Sequence, residues 1–358
     1  CDAYSRNSTK RRRLQVEPMP LVRNGGDWAC RSPLHSVTLR EMKNKVRVFA
    51  PASASNLGPG FDVIGLALPQ PGDVVEAEWC DTAGVTILEI TGDGGALPYD
   101  GARNVAAVAA NDVLRRFQAD NQIPLHRGIS LRLEKQTPLA SGLGSSGASA
   151  VAGAFATNEL LDRPLSRTAL VASALAGEQV AAGTAHADNV APSMLGGIVL
   201  IRSYEPLELI NLPIPTSLQV VVVHPHCEVS TAAARRLVNE RTYMLADAVE
   251  NLGNLGALVD ALHRDDLEQF GRSIVDRLVE PVRAKLIPGL AEVKEAARDC
   301  GALGCSISGA GPSLFAFAGS ETTAREIAKA MQEAFRDAAD LDSDAHVGPV
   351  DTVGAIAF

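Results

Sequence analysis

The segment 138–148, which reads PLASGLGSSGA, constrains the fold of this chain more than any other. It contains three glycines and three serines within residues 141–147 and runs directly into an alanine-rich, helical pattern. Glycines let a backbone approach a bulky anion, and a helix N-terminus presents unpaired N–H groups and a positive dipole end. The segment predicts a phosphate-binding loop; a glycine-rich turn that only packs a small-residue helix is the alternative. The residues predicted to bind phosphate are Pro138, Ser141, Gly142, Leu143, Gly144, Ser145, Ser146 and Gly147.

Other glycine-rich loops fit this segment poorly. A P-loop requires lysine where Ala148 stands. The glycine spacing matches a dinucleotide-binding loop, but the preceding strand 129–133 alternates apolar and polar residues, and no acidic residue ends a following strand. A protein-kinase loop would be followed by H-R-D and D-F-G motifs, which the sequence lacks.

Four further segments accompany the loop in a fixed order. They read APASASNLGPGFD at 50–62, HADNVAP at 186–192, EPVRAKLIPG at 280–289 and SISGAGPS at 306–313. With the loop, they make the chain resemble the homoserine kinases, a branch of the GHMP small-molecule kinases, from about Val46 to the C-terminus. The stretch YEPLEL at 204–209 is similar to plant homoserine kinases.

Alternating helical and strand patterns, with antiparallel-type strands, indicate an α+β fold. The resemblance implies the two-domain GHMP kinase fold. It comprises an N-terminal ATP-binding domain at 43–205 and a ferredoxin-like C-terminal domain at 206–358, with a proline cluster at 206–215 marking the join.

The periodicity of the sequence predicts individual elements. Strands are expected at 46–50, 74–79, 85–91, 129–133, 197–202, 218–224, within 305–318 and near 348–357, with 74–79 and 85–91 paired as a hairpin. Helices are expected at 104–117, after the glycine loop, and at 165–182, 230–241, 243–263, 265–276, 290–300 and 321–338.

The resemblance also implies the catalytic residues and a metal site. Ser146 and Glu178 stand where the family holds Mg²⁺, and Asp188 joins them as a catalytic residue. Asn189 stands where some GHMP relatives place a catalytic aspartate. Either Asp188 or the γ-phosphate itself accepts the hydroxyl proton, and the sequence leaves both open.

Homoserine carries an ammonium, a carboxylate and a terminal hydroxyl, so its site needs acids as well as cationic forks. By their positions in the family's motifs, Asn56, Asp62, His186 and Asp188 are implied on the amine and hydroxyl side, and Thr231, Arg235 and Arg283 at the carboxylate. Ser308 and Gly309 are implied to pack the segment 306–313 against the pocket. Taken singly, each has a structural explanation as a turn, core or surface residue.

The implied activity is ATP- and Mg²⁺-dependent phosphorylation of L-homoserine to O-phospho-L-homoserine, a step of threonine biosynthesis. The alternatives are another GHMP kinase of the mevalonate type and a non-catalytic relative that binds a small metabolite. The expected partners are L-homoserine, ATP and a second copy in a homodimer.

Composition limits the remaining function classes. Residues 1–45 carry a net charge of +6 and the rest of the chain −15, which argues against nucleic-acid binding. No apolar run is long enough for a membrane span. Six scattered cysteines without a C-x-x-C pair indicate a reducing compartment. Residues 1–42 are basic and lack periodicity, which predicts a disordered extension left from a transit peptide and a plastid stroma location, with cytoplasm as the alternative.

Overall fold

The computed structural model describes residues 43–121, 127–183 and 186–358. The transit-peptide prediction for residues 1–42 lies outside these residues. The strands are β1 (Lys45–Ser55), β2 (Ile64–Cys80), β3 (Val85–Thr91), β4 (Gly128–Glu134), β5 (Ile198–Tyr204), β6 (Leu207–Leu212), β7 (Gln219–Pro225), β8 (Gly304–Ile307), β9 (Leu314–Ala318), β10 (Ser343–Pro349) and β11 (Ile356–Ala357). The helices are α1 (Val105–Asn121), α2 (Ser145–Leu160), α3 (Arg167–Ala182), α4 (Ala187–Leu195), α5 (Thr231–Asn239), α6 (Leu245–Arg264), α7 (Leu267–Arg272), α8 (Glu280–Arg283), α9 (Leu290–Asp299) and α10 (Glu321–Ala339).

The first sheet has seven strands, with β11-β1-β2-β4-β3 in order and β5 joining β2 to β6. Helices α1 to α4 pack together over this sheet, and α2 is buried along nearly its whole length. A core of alanine, valine and leucine side chains fills the space between helices and strands. The small residues of α2 allow this dense packing, which holds the start of the helix firmly in place.

The second sheet has four antiparallel strands in the order β10-β7-β9-β8. Its connectivity is strand, helices, two strands, helix, strand, which is the ferredoxin-like arrangement. The α+β prediction and the ferredoxin-like second sheet are therefore confirmed. Leu66 and Leu68 of the first sheet share one apolar core with Val220 and Phe315 of the second, so the two sheets pack directly on each other.

The predicted hairpin of 74–79 with 85–91 is wrong. Strand β4 lies between β2 and β3, antiparallel to β2 and parallel to β3. Helix α1 provides the crossover that a parallel pair requires. Alternation along each strand shows which face is buried, but it does not identify the partner strand.

The predicted division at 205/206 falls inside the hairpin of β5 and β6, because β6 pairs with β5 in the first sheet. The chain enters the second sheet only at β7, and β11 returns to the first sheet against β1. Helix α4 was not predicted, since it is short and contains Pro192. The helix expected at 265–276 is limited to α7. Among the described residues, none of the helices has the length and apolar character of a membrane span.

Candidate active site

The glycine-serine loop connects β4 to α2, as predicted. Gly142 and Gly144 have φ angles of 79° and 63°, in the region that favours glycine. A Cβ atom on Gly142 would lie 2.4 Å from the Ser308 carbonyl oxygen. Gly144 is the N-cap of α2 and has no side chain to cap it, which leaves the first N–H groups of the helix to a ligand.

The loop is held from both sides by hydrogen bonds. The Ser141 hydroxyl donates to the Pro138 carbonyl at 2.7 Å and accepts from the Leu143 N–H at 3.3 Å. The Ser308 hydroxyl donates to the Gly142 carbonyl at 2.7 Å. The segment 306–313 therefore packs directly against the phosphate loop.

A buried ion pair that the sequence analysis missed lies under the start of α2. Lys135 Nζ donates to the carboxylate of Asp73, to the Ser145 carbonyl at 2.9 Å, to the Ser145 hydroxyl at 2.8 Å and to the Ser149 hydroxyl at 3.0 Å. Asp73 also accepts the backbone N–H groups of Gln136 and Thr137 at 3.2 and 3.1 Å. The pair fixes the end of β4 to the first turn of α2. The signals that were available are a lysine three residues before Pro138 and an acid next to the apolar pair Val74 and Val75.

Ser146 and Glu178 meet at the opening of this turn. Burial raises the pKa of the Glu178 carboxyl group to about 7, and the nearby Ser146 hydroxyl acts in the opposite direction. The Oε1 atom of Glu178 is buried and has no hydrogen-bond partner among the described residues. A buried carboxylate with an unsatisfied oxygen beside a hydroxyl fits a hard cation, since oxygen ligands suit Mg²⁺.

On the opposite side of the cleft, Arg235 of α5 forms a salt bridge with Asp62. Its two terminal nitrogens donate to the two carboxylate oxygens at 2.6 and 3.0 Å, which is a forked arrangement. One of them also lies 2.8 Å from Nε2 of His186. Because arginine only donates, Nε2 must accept, which places the His186 proton on Nδ1. Burial lowers the pKa of His186, so the ring is neutral at physiological pH.

Arg283 ends α8 and is 3% exposed. Its Nη1 donates to the Gly309 carbonyl at 2.6 Å, but its buried Nε has no hydrogen-bond partner among the described residues. Asn56 donates to the same carbonyl at 3.3 Å and accepts the Asp62 N–H at 3.1 Å. Burial lowers the pKa of the Arg283 guanidinium. An arginine this buried, without a direct carboxylate partner, is suited to an anionic ligand.

Asp188 and Asn189 stand in the first turn of α4, beside the end of β1. The Asn189 amide accepts from the Ser53 hydroxyl at 3.0 Å and donates to the Ser55 hydroxyl at 3.3 Å. Asp188 is 2% exposed, and burial together with the nearby Asp62 raises its pKa to about 7. Its Oδ1 is buried without a hydrogen-bond partner among the described residues. A carboxyl group in this state is able to exchange a proton near neutral pH.

One cleft of about 840 Å³ brings most of these groups together. The predicted residues that line it are Asn56, Asp62, Ser141, Gly142, Gly144, Ser145, Ser146, Glu178, His186, Asp188, Thr231, Arg235, Arg283 and Gly309. Pro138, Leu143, Gly147 and Ser308 are not among its lining residues, and Leu143 is fully buried in the core between the sheets. Beyond the loop, apolar side chains of Leu97, Pro98 and Val105 continue the cleft.

Known proteins with the same organisation identify the family. Residues 104–197 match the family of GHMP kinases N terminal domains, and residues 258–337 match that of GHMP kinases C-terminal domains. The homoserine kinase of Chlorobium phaeobacteroides is 47% identical over 315 residues, which cover 87% of this chain and 98% of its own length. That of Xylella fastidiosa is 39% identical over 312 residues, covering 87% and 94%.

A crystal structure of homoserine kinase from Cytophaga hutchinsonii has a TM-score of 0.84 and 45% identity, covering 89% of this chain and 99% of its own. The Chlorobium and Xylella proteins are bacterial, so they give no support to a specific similarity to plant homoserine kinases. At this identity and coverage, the chain belongs to the homoserine kinases, within the GHMP kinase family.

Proposed function

We propose that the chain transfers the γ-phosphoryl group of ATP to the hydroxyl of L-homoserine, giving O-phospho-L-homoserine. The observation that carries this proposal is the composition of the cleft. A phosphate-type loop faces two arginines and two carboxylates, the complementary charges that a zwitterionic acceptor requires. The mevalonate-type alternative is disfavoured, because mevalonate has no ammonium group to pair with Asp62 and Asp188.

The first turn of α2 and the loop backbone bind the phosphates of ATP. Their N–H groups and the positive end of the helix dipole stabilise the anionic chain. The apolar surface of Leu97, Pro98 and Val105 is suited to the nucleotide base. Lys135 and Asp73 keep the turn in place without contacting solvent.

Ser146 and Glu178 hold Mg²⁺ in this proposal. The unsatisfied Oε1 of Glu178 is the structural reason, because a bound cation would restore the charge balance of a buried carboxylate. The ion, when bound, neutralises charge on the transferred phosphoryl group. Ser146 and Glu178 being present together also favours catalysis over mere metabolite binding.

The acceptor lies between the loop and α5. Arg283, with help from Arg235, binds its carboxylate, while Asp62 and Asp188 face its ammonium and hydroxyl. With a pKa raised to about 7, Asp188 is matched to accept the hydroxyl proton as the oxygen attacks. Asn56 and the neutral His186 fix the orientation of these charged groups.

The plastid location and the homodimer stay predictions. The first rests on the composition of residues 1–42 and the second on the family resemblance.

Purified protein should release ADP with MgATP and L-homoserine, and the product should be O-phospho-L-homoserine by mass. Mevalonate and galactose serve as parallel acceptors at the same concentration. Equal or faster ADP release with mevalonate would overturn the assignment of the acceptor. Absence of ADP release with all three would favour the non-catalytic alternative.

A further inference from the structure

Phe61 lies in the loop between β1 and β2, directly before Asp62, and its side chain is half-buried. Two guanidinium groups lie over its ring. The Cζ atom of Arg235 is 4.9 Å from the ring centroid, and that of Arg283 is 5.3 Å from it. These arginines come from separate elements, α5 and α8, so the ring of Phe61 is a contact that both share.

Two like charges held this close repel each other. After burial, Arg235 is the largest influence that lowers the pKa of the Arg283 guanidinium. The face of an aromatic ring carries partial negative charge and attracts cations, more strongly where water is excluded. The ring of Phe61 therefore offsets part of the repulsion and fixes the planes of both guanidinium groups.

The hydrogen bonds of the two arginines hold each guanidinium group through different partners. Asp62 and His186 orient Arg235, whereas Arg283 has the Gly309 carbonyl as a hydrogen-bond acceptor and keeps its Nε unsatisfied among the described residues. Asn56 connects these two sets, because it accepts the Asp62 N–H and donates to the Gly309 carbonyl. The ring of Phe61 contacts the two guanidinium groups themselves. A leucine at position 61 would occupy a similar space but would have no ring face with partial negative charge.

We propose that Phe61 is a positioning residue that sets selectivity for acceptors with a carboxylate. Its ring holds Arg235 and Arg283 so that both address one carboxylate. The proposal rests on the proposed function, because it requires these arginines to bind the acceptor.

The test compares two ligands in the same protein. L-Homoserine has the carboxylate; 3-aminopropan-1-ol has the same ammonium and hydroxyl without it. Phe61→Leu should raise the homoserine KM about tenfold. The inhibition constant of 3-aminopropan-1-ol against homoserine, and the ATP KM, should stay within about twofold. Phe61→Tyr keeps the ring and should restore the homoserine KM.

Phe358→Leu is the matched control. Phe358 also lies beneath a guanidinium group, that of Arg47 at 5.3 Å, but Arg47 does not line the cleft, whereas Arg235 and Arg283 do. This variant should leave both ligands unaffected. Phe61→Met is measured in parallel and replaces Phe61→Leu if that variant folds poorly. The ratio of the homoserine KM to the inhibition constant of 3-aminopropan-1-ol does not depend on the folded fraction of either variant.

The inference is overturned if Phe61→Leu and Phe61→Met weaken both ligands equally, or neither. If the wild-type protein does not phosphorylate L-homoserine, the proposed function fails and this inference fails with it. If the wild type phosphorylates L-homoserine but the Phe61 variants show no selective effect, the proposed function is kept and the inference about Phe61 is rejected.

Discussion

Arg235 and Asp62 form a forked ion pair on the acceptor side of the cleft, with both terminal nitrogens of the arginine on the two carboxylate oxygens at 2.6 and 3.0 Å. The pair joins α5 to the loop after β1, so it fixes the acceptor side of the cleft. Because both terminal nitrogens of Arg235 already donate to Asp62, Arg235 is less available to bind the carboxylate of a ligand. Arg283, whose Nε has no hydrogen-bond partner in the part of the chain that the structure describes, is the more available partner for a carboxylate.

Replacing Asp62 should therefore affect the acceptor and not the nucleotide. Asp62 has a φ angle of 60°, which asparagine tolerates well. Asp62→Asn should keep the melting temperature within a few degrees but raise the homoserine KM roughly tenfold or more, because a charge-assisted pair contributes about 1.5–3 kcal/mol. Asp62→Ala adds backbone strain and should also lower the melting temperature. An unchanged homoserine KM in Asp62→Asn would remove this residue from the acceptor site.

Glu178→Gln tests the metal proposal. The variant should reduce kcat by orders of magnitude with little change in the homoserine KM, because the lost charge acts on the transferred phosphoryl group. Added Mg²⁺ with ADP should raise the melting temperature of the wild type more than that of the variant. The proposal fails if kcat is near that of the wild type at modest Mg²⁺, or if the two proteins gain equally in melting temperature.

Asp188 should make both stability and activity depend on pH. Its pKa in the fold is about 7, against an ordinary value of about 3.9, so the folded state binds more protons than the unfolded state between these values. This residue therefore lowers stability as the pH rises from about 4 to 7, by at most about 1.4 kcal/mol for each pH unit.

Denaturant unfolding of the wild type and Asp188→Asn at pH 4, 5.5 and 7.5 measures this contribution. The variant should gain stability relative to the wild type as the pH rises, and kcat/KM of the wild type should rise towards a plateau above pH 7. A constant difference between the two proteins would show that Asp188 does not titrate in this range.

Gly142 should be intolerant of any side chain. Gly142→Ala meets both an unfavourable φ angle and a carbonyl oxygen 2.4 Å from the new Cβ atom. Gly183→Ala is the matched control, because its φ angle is also positive, at 71°, but none of the described residues has an atom within 4 Å of its Cβ position. Gly183→Ala should cost about 1 kcal/mol of unfolding free energy; Gly142→Ala should cost clearly more and raise the ATP KM. Similar costs for both would argue against close packing of the two loops.

The phosphate loop can be predicted from the sequence because the residues that specify it are close together in the chain. The glycines and serines before α2 specify both the turn and the helix start, and most helices follow from periodicity. The sequence does not show which residues pair with each other when they are far apart in the chain. Asp73 lies 62 residues before Lys135, and neither residue indicates that the other is its partner. The same limit explains β3, whose partner β4 arrives only after α1. Resemblance to a family suggested Arg235 and Arg283, but only the fold reveals that Asp62 occupies the first.

We infer that this cleft binds an amino acid by its carboxylate, chiefly through Arg283. The direct measurement is the homoserine KM of Arg283→Lys at saturating ATP, with Arg277→Lys as control, since Arg277 is half-exposed and paired with Glu250 outside the cleft. Lysine keeps the charge but loses the planar fork. We expect a homoserine KM raised roughly tenfold to a hundredfold in Arg283→Lys, an ATP KM within about twofold, and wild-type kinetics in Arg277→Lys. A homoserine KM within about twofold of the wild type in Arg283→Lys would contradict the claim.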